Sequence, residues 1–437
     1  MDAPTHFRGK RITLMRIGLL GRGIGDAAYL AECGADVLVV DDASQEVMQP
    51  AVDALKAFKN ITFKFGPYDL NDFKNCDLVL KGAGTPIDSP EIAEAKKNDI
   101  PVRMSADLFL ESSGVTCVGV TGTRGKSTVT HMIFAILKEA GKKVLLGGNI
   151  RGVSNLELLK EVTPEHVAVL ELDSWQCQGF GEAQMSPHTA VFTTLFADHM
   201  NYYKEDLNAY LADKANIFLY QHEEDTLILG KQCAPIVIDR YGEQIEAQTQ
   251  VIDETKLPDT WILKVPGMHN RYNAALALAA ARALGVADEV SRAALAAFSG
   301  VPGRLELVRE VNGVKIYNDT TATTPEATLV ALAALGTERT VLIMGGNDKN
   351  LDMTALIEKV KEVKHLVLLA GTGTERIKDQ LDAKGMIYHT FAEAVADAVK
   401  AAAPGDTILF SPAFTSFGMF KNEFDRGDQF NALVNAL

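Results

Sequence analysis

Positive charge is in short supply in this chain: 43 lysines and arginines stand against 57 aspartates and glutamates, a formal net charge of −14. Such a surface repels nucleic-acid backbones and anionic headgroups, so nonspecific binding to nucleic acid or to a membrane surface is excluded as the main activity. An anion must be held locally, by backbone N–H groups and individually placed Lys or Arg side chains. Cysteine is scarce too. The five (Cys33, Cys76, Cys117, Cys177, Cys233) are odd in number, scattered and without CxxC spacing, which argues against a disulfide framework or a zinc site and for reduced thiols. Long apolar runs are missing. Nothing approaches the roughly 18 residues of a membrane helix, and the alanine-rich residues 274–284 are broken by Arg282, as in a buried helix. With no apolar signal core at the start, the expected location is the cytoplasm. Neither a coiled coil nor an exposed apolar face is indicated, so a monomer is expected.

What is present points to an α/β protein. Its 437 residues suffice for two to three domains of ordinary globular composition. An apolar run at 115–120 leads into Gly119-Val120-Thr121-Gly122-Thr123-Arg124-Gly125-Lys126-Ser127-Thr128, and Val129, Ile133, Phe134 and Leu137 follow at helical spacing. Strand, glycine-rich loop, helix is the arrangement that turns N–H groups around a polyphosphate, with Lys126 on the outer phosphates and the Ser127 hydroxyl on magnesium. The strict pattern wants glycine where Val120 stands, so the turning falls to Gly122 and Gly125.

Before that loop, residues 11–20 read as a strand, followed by Gly18, Gly21, Gly23 and Gly25, a helix at 27–33 and a second strand at 37–40 ending in Asp41-Asp42. This resembles the opening of a dinucleotide fold, but the fingerprint fails: from Gly21 its third glycine falls on Asp26, and ending at Gly21 its first falls on Arg16. A diphosphate loop and a plain βα turn both fit. A strand at 78–80 ends in Lys81-Gly82-Ala83-Gly84-Thr85-Pro86, another glycine turn. After the phosphate loop, strands at 144–146, 167–170 and 189–194 end in Gly147-Gly148-Asn149, in Glu171-Leu172-Asp173-Ser174-Trp175-Gln176, and before Asp198-His199-Met200. Polar groups thus gather at the edge where open α/β sheets bind ligands. Glu171 is a hard oxygen ligand suited to magnesium and His199 can ligate or orient one, although each alone also fits a solvated carboxylate or a satisfied histidine.

A helix around 206–220 carries Lys214, by itself an ordinary surface lysine. Strands are expected near 226–229 and 235–238. Gly267-Met268-His269-Asn270 then opens a helix through Asn273, and Gly300-Val301-Pro302-Gly303-Arg304 marks a boundary with Arg304 beside it. Beyond it, strands at 314–317, 341–344, 365–369 and 407–410 end in an Asp319–Pro325 hydroxyl-rich loop, in Gly345-Gly346-Asn347-Asp348-Lys349, in Ala370-Gly371-Thr372-Gly373 and in Ser411-Pro412-Ala413. Such loops are ordinary turns or, with Lys349 among them, a site for a small anion.

Taken together, these motifs resemble the Mur ligases, ATP-dependent amino-acid ligases of peptidoglycan precursor synthesis, in family order along nearly the whole chain. The resemblance is strongest to the branch that adds glutamate to UDP-N-acetylmuramoyl-L-alanine, through the Asp319 loop, the Gly345–Lys349 turn, and Ser411 through Ser416 to Lys421-Asn422 and Arg426-Gly427-Asp428. It implies an α/β fold of three domains: a Rossmann-like UDP-binding domain (1–108), a central P-loop ATPase-like domain with a parallel sheet (109–303) and a Rossmann-like amino-acid domain (304–437). It also implies cytoplasmic cell-wall synthesis with ATP and two magnesium ions. Lys126, Glu171, His199 and Lys214 are the implied catalytic residues. Gly122, Thr123, Arg124, Gly125, Lys126, Ser127, Thr128, Asn270, Asn273, Arg304 and Asp319 would bind ATP. Ser127, Glu171, His199 and Lys214 would hold the metals, Lys214 as a carbamate. Gly18, Gly21, Asp41, Asp42, Gly84 and Thr85 would take the UDP, with Asn149, Ser174 and Gln176 on the muramoyl-alanine arm. Thr323, Lys349 and Ser416 would bind glutamate.

Two positions depart from the family. Thr321 replaces a second lysine that would meet a glutamate carboxylate, which leaves Lys421 or Arg426 to compensate and opens the possibility of L-glutamate in place of D-glutamate. Asp173 stands where a small hydroxyl residue is usual, as a neighbour of the metals or a tolerated change. A nicotinamide-dependent dehydrogenase would need the fingerprint that fails and would leave Lys126 and Ser127 idle. A nucleotide sensor without catalysis would not need Glu171, His199 and Lys214 together. Sister ligases adding other amino acids, and folate polyglutamylases, share the central motifs.

Overall fold

The computed structural model describes residues 3–18, 21–381, 385–416 and 418–437, and in it the apolar runs become strands whose carboxyl ends carry the glycine turns. The described residues form three sheets. The first comprises β1 (Arg11–Met15), β2 (Asp36–Asp41), β3 (Ile61–Phe65), β4 (Leu78–Lys81) and β5 (Val102–Arg103), in the order β3-β2-β1-β4-β5, with all pairs parallel. Parallel sheets need both faces covered. Ile12 and Leu14 of β1 and Val37 and Val39 of β2 pack under Ala27 and Leu30 of the helix Arg22–Glu32, while Met15, Val40 and Val79 face Phe73, Ile92 and Ala95 on the other side. β1 stops at Met15, shorter than expected, because the backbone turns at Arg16 (φ 59°) and Gly18 (φ 65°). The expected continuation over Leu19 and Leu20 lies outside the described residues.

The second sheet is β6 (Thr116–Thr121), β7 (Lys143–Gly148), β8 (His166–Glu171), β9 (Thr189–Phe192), β10 (Thr226–Gly230) and β11 (Gln248–Ile252), in the order β11-β10-β9-β6-β8-β7 and parallel throughout. Its register sets the site: Val120 of β6 lies opposite Glu171 of β8, which in turn lies opposite Gly148 of β7. The helix Lys126–Glu139 packs back on β7 and β8. Residues 235–238, expected as a strand, instead belong to the helix Ala234–Tyr241. The β-branched run of Ile236, Val237 and Ile238 suggested a strand. Burial, however, falls on Ala234, Val237 and Tyr241, at helical spacing, with Ile236 and Ile238 exposed, and Pro235 fits the first helical turn.

The third sheet comprises β12 (Glu306–Val311), β13 (Val314–Asn318), β14 (Thr340–Gly345), β15 (His365–Leu369), β16 (Met386–Tyr388) and β17 (Thr407–Phe410), ordered β12-β13-β17-β14-β15-β16. Only β12, a hairpin partner of β13, runs antiparallel. Leu342, Leu368 and Leu409 face Leu332 and Leu356, while Val341, Ile343 and Phe410 face Phe391 and Phe430. The contacts divide the chain into two compact units, Met1–Asp259 with Tyr272–Leu295, and Thr260–Arg271 with Ala296–Leu437, so the first two sheets share one unit. Among the described residues no helix is long and apolar enough to cross a membrane.

Candidate functional site

At the end of β6 the chain turns through Gly122 (φ 137°) and Gly125 (φ 87°), and the helix Lys126–Glu139 begins. A side chain at Gly122 would fall 2.1 Å from Thr193 Oγ1, and one at Gly125 would fall 2.6 Å from Asn273 Oδ1. Val120 is a fully buried strand residue, so the turn starts two positions after the place where the strict motif puts its first glycine. Residues beyond β9 hold the loop. The Thr123 N–H donates to Thr194 O at 2.7 Å, the Arg124 N–H to Thr194 Oγ1 at 2.9 Å, and Thr193 Oγ1 to Arg124 O at 2.6 Å. Tyr272 ties Thr193 O from the Asn273 helix at 2.8 Å. Ser127, buried, and Thr128, half-buried, follow in the first helical turn. The Lys126 ammonium folds back on Gly122 O at 2.9 Å and Thr123 O at 3.2 Å.

Lys214 reaches the same loop from the last turn of the helix Leu207–Ala215, which ends five residues before the expected 220. Its side chain is 1% exposed and donates to Gly122 O at 3.1 Å and Thr121 Oγ1 at 3.3 Å, with its ammonium 4.7 Å from the Tyr210 ring centre. Both hydrogen bonds go to neutral oxygens. Burial lowers its pKa, opposed by Cys177, Asp173, Asp198 and Asp213. Glu171 ends β8 as a buried carboxylate that carries no hydrogen bond or ion pair among the described residues. A buried carboxylate without a counter-charge is costly; it could be met by a hard divalent cation that keeps water and phosphate ligands, for which the Ser127 hydroxyl would be a further oxygen donor. Among the described residues no cluster of three or more His, Cys, Asp or Glu side chains is positioned to hold a metal ion.

His199 sits in a left-handed backbone conformation (φ 54°) with its ring 4.7 Å from that of Trp175. The surrounding protein lowers its pKa, Asp198 opposing and Lys126 adding to the fall, although the side chain keeps 44% of its surface in solvent. Asp173, which stands where a small hydroxyl residue is expected, is a helix cap. Its carboxylate accepts from the Gln176 N–H at 2.8 Å and Gln176 Oε1 accepts from the Asp173 N–H at 3.2 Å, a reciprocal box at the start of Ser174–Ala183.

At the carboxyl edge of the first sheet lies a cavity of about 170 Å³ walled by Arg16, Gly18, Arg22, Lys81 and Gln176 among others. Of the residues expected at a UDP-substrate site, Gly18 and Gln176 are in this wall. Gly21 caps the helix Arg22–Glu32, Gly84 turns at φ 78°, and Thr85 and Ser174 are buried. Asp41 accepts from the Ala43 N–H at 3.0 Å, Asp42 pairs with Arg16 at 2.6 Å, and Asn149 accepts from the Arg22 guanidinium. Asp26, which broke the glycine fingerprint, has a task of its own. Its carboxylate accepts from Ser154 Oγ at 2.6 Å and the Leu156 N–H at 3.1 Å, binding the first sheet to the second, and burial raises its pKa to about 6. Arg22, Lys81 and Asp26 were not singled out from sequence, since a lone Lys or Asp carries no mark of burial.

In the other unit, Asp319 is buried at the end of β13, accepting from Ser411 Oγ at 2.8 Å and the Leu305 N–H at 3.0 Å; burial pushes its pKa up to about 7. Arg304 is exposed, and Asn270, buried, donates to Pro266 O at 2.7 Å. Lys349 reaches Thr323 Oγ1 at 3.2 Å, so the structure brings together two of the three residues expected to bind glutamate. Ser416 lies in a narrow crevice with Gly345, Gly346 and Arg426. Thr321, in place of the second lysine, bonds Gly303 O at 2.9 Å. Arg426 is fully buried, its guanidinium spent on Thr320 O (2.7 Å), Thr320 Oγ1 (3.1 Å) and Phe414 O (3.2 Å), so it braces the Thr320–Thr323 turn.

Comparison with known proteins follows the same two regions. Residues 120–281 match the family described as Mur ligase middle domain, and residues 303–414 match the Mur ligase glutamate ligase domain. The chain is 34% identical to the UDP-N-acetylmuramoylalanine–D-glutamate ligase of Roseiflexus sp. (strain RS-1), over 98% of this chain and 99% of the relative. Identity to the protein of the same name from Geobacillus kaustophilus (strain HTA426) is 34%, over 99% of both, and to that of Borreliella burgdorferi (strain ZS7) 32%, over 97% of both. Among solved structures, the UDP-N-acetylmuramate–alanine ligase of Thermotoga maritima superposes with a TM-score of 0.61 at 19% identity, covering 98% of this chain and 99% of that one. The MurF ligase of Thermotoga maritima in complex with ADP gives 0.60 at 17% identity with full coverage of both. These two likenesses speak to the fold.

Proposed function

The chain belongs to the Mur ligase family, and from that premise we propose that it joins D-glutamate to UDP-N-acetylmuramoyl-L-alanine while cleaving ATP to ADP and phosphate. The observation that carries the reading is the convergence of Lys126 and the buried Lys214 on one loop carbonyl, one strand away from the uncompensated Glu171.

The chemistry follows from charge. Transfer of the γ-phosphoryl group to the muramoyl-alanine carboxylate brings two anions together, so neutralisation dominates the first barrier. The acyl phosphate so formed is attacked by the glutamate amine; the tetrahedral intermediate expels phosphate and leaves the amide. Lys126 and the N–H groups of Gly122 to Thr128 are suited to hold the ATP phosphates. Magnesium, when bound, would supply further positive charge at those oxygens, with Ser127 and Glu171 proposed to hold one ion and His199 and Lys214 a second. Lys214 can serve only as a carbamate, and its burial supports this by favouring the neutral amine that takes up carbon dioxide.

The proposed division of labour runs along the chain. Residues 1–108 take the UDP through Gly18, Gly21, Asp41, Asp42, Gly84 and Thr85. Residues 109–303 hold ATP and orient the muramoyl-alanine arm with Asn149, Ser174 and Gln176. Residues 304–437 bind glutamate through Thr323, Lys349 and Ser416. Asn270, Asn273, Arg304 and Asp319 complete the proposed nucleotide contacts. ADP release from ATP and magnesium, measured with UDP-N-acetylmuramoyl-L-alanine and single amino acids, tests the proposal. D-Glutamate is expected to support turnover; a requirement for L-glutamate or another amino acid would overturn the assignment.

A further inference from the structure

The wall of the cavity at the edge of the first sheet includes a buried lysine, Lys81, with no close counter-charge among the described residues. Lys81 is the last residue of β4 and is 3% exposed. It lies in register with Met15, the last residue of β1, so it sits at the point where chain connections leave the sheet in opposite directions. Ligands of open α/β sheets bind in that crevice. Its ammonium donates to Thr85 O at 2.9 Å, and no carboxylate among the described residues lies within ion-pair distance of it. The other cations of the wall are engaged: Arg16 by Asp42 at 2.6 Å and Arg22 by Asn149.

We propose that Lys81 is the cation that grips the diphosphate of the nucleotide-sugar substrate, in the cavity whose wall it shares with Gly18. The assignment rests on reading this cavity as the UDP end of the ligase site. Burial holds the Lys81 pKa down to about 8, with Asp173, Asp213 and Glu182 opposing from farther off, so the ammonium is under-compensated until an anion arrives. The uncapped first turn of Arg22–Glu32 faces the same need, because its Gly21 cap offers no side-chain acceptor. A diphosphate satisfies both, and Thr85 O keeps a second donor in Tyr202 Oη at 3.3 Å when Lys81 turns to the ligand.

The test is Lys81→Met, which keeps the length and removes the charge, in the full-length enzyme with UDP as the probe. The free variant is expected to melt at or above the wild-type temperature, since an unpaired buried charge is gone. UDP should raise the wild-type melting temperature and leave that of the variant almost unchanged. The KM for the UDP-substrate should rise at least about tenfold, with the KM for ATP and the saturated kcat little altered. Three results would overturn the assignment. The variant could melt lower with an unchanged KM, which makes Lys81 a structural strut. UDP could stabilise both proteins equally, which puts any loss on the acyl arm. UDP could fail to stabilise the wild type, which removes the diphosphate from the cavity. Failure of the wild type to turn over the UDP-substrate with glutamate would instead count against the proposed function.

Discussion

Lys126 and Lys214, from two different helices, donate to the same carbonyl oxygen: Gly122 O receives the first at 2.9 Å and the second at 3.1 Å. Two ammonium groups held so close repel each other, and burial lowers the pKa of Lys214. This arrangement suits the proposed roles, Lys126 as a cation for phosphate and Lys214 as the lysine open to carbamylation.

Lys126→Ala and Lys214→Ala should each lower glutamate-dependent ADP release by about 100-fold or more, the scale seen when one preorganised charge donor is removed. Circular dichroism should show both folded. Near-normal turnover by Lys214→Ala would discard its proposed place in the metal set. Carbon-13 bicarbonate should give a carbamate resonance in the wild type that Lys214→Ala lacks.

Asp173 is expected to act through the helix it caps. Asp173→Ala should destabilise the protein by about 0.5–2 kcal/mol, and Asp173→Ser should recover most of that loss. Urea denaturation monitors both. Equal stability of the alanine and serine variants would shift Asp173 from helix capping to the metals.

Asp26 makes stability depend on pH. Unfolded, it titrates near 3.8; folded, near 6. Between those values the folded state holds the extra proton, so its stability falls as pH rises through the window. Relative to Asp26→Asn, the wild type should lose about 2–2.5 kcal/mol between pH 4 and pH 7 and then level off. A pH-independent difference between the two proteins in urea titrations would refute this.

Lys349→Ala should raise the KM for glutamate by about 10–100-fold, the value of a charge-assisted hydrogen bond, and leave the KM for ATP unchanged. Steady-state kinetics with each substrate varied in turn decides it, and parallel rises in both KM values would point to a disrupted fold.

The phosphate loop, the strand ends and the polar residues on them were legible because each rests on local chemistry: apolar strand, glycine turn, helix. The helix Ala234–Tyr241 was misread because three β-branched residues outweighed a burial period that spans seven positions. Asp26 and Lys81 were opaque for another reason. Their significance lies in burial without a local partner, which depends on segments far away in sequence, such as Ser154 for Asp26. Thr321 could be seen to replace a lysine. That Arg426 could not stand in for it, being sealed against Thr320 and Phe414, required the packed structure.

The Asp26–Ser154 bond and the Leu156 side chain buried in the first sheet's core also bear on modular inheritance. The first sheet does not end, physically, where its last strand ends. A chimera that imports a relative's N-terminal segment but keeps the native residues 149–160 would strand, beneath a foreign helix, the Ser154 hydroxyl and Leu156 amide that donate to the Asp26 carboxylate. The heritable cassette built on the first sheet is thus discontinuous, and recombination that preserves its packing must carry both pieces together.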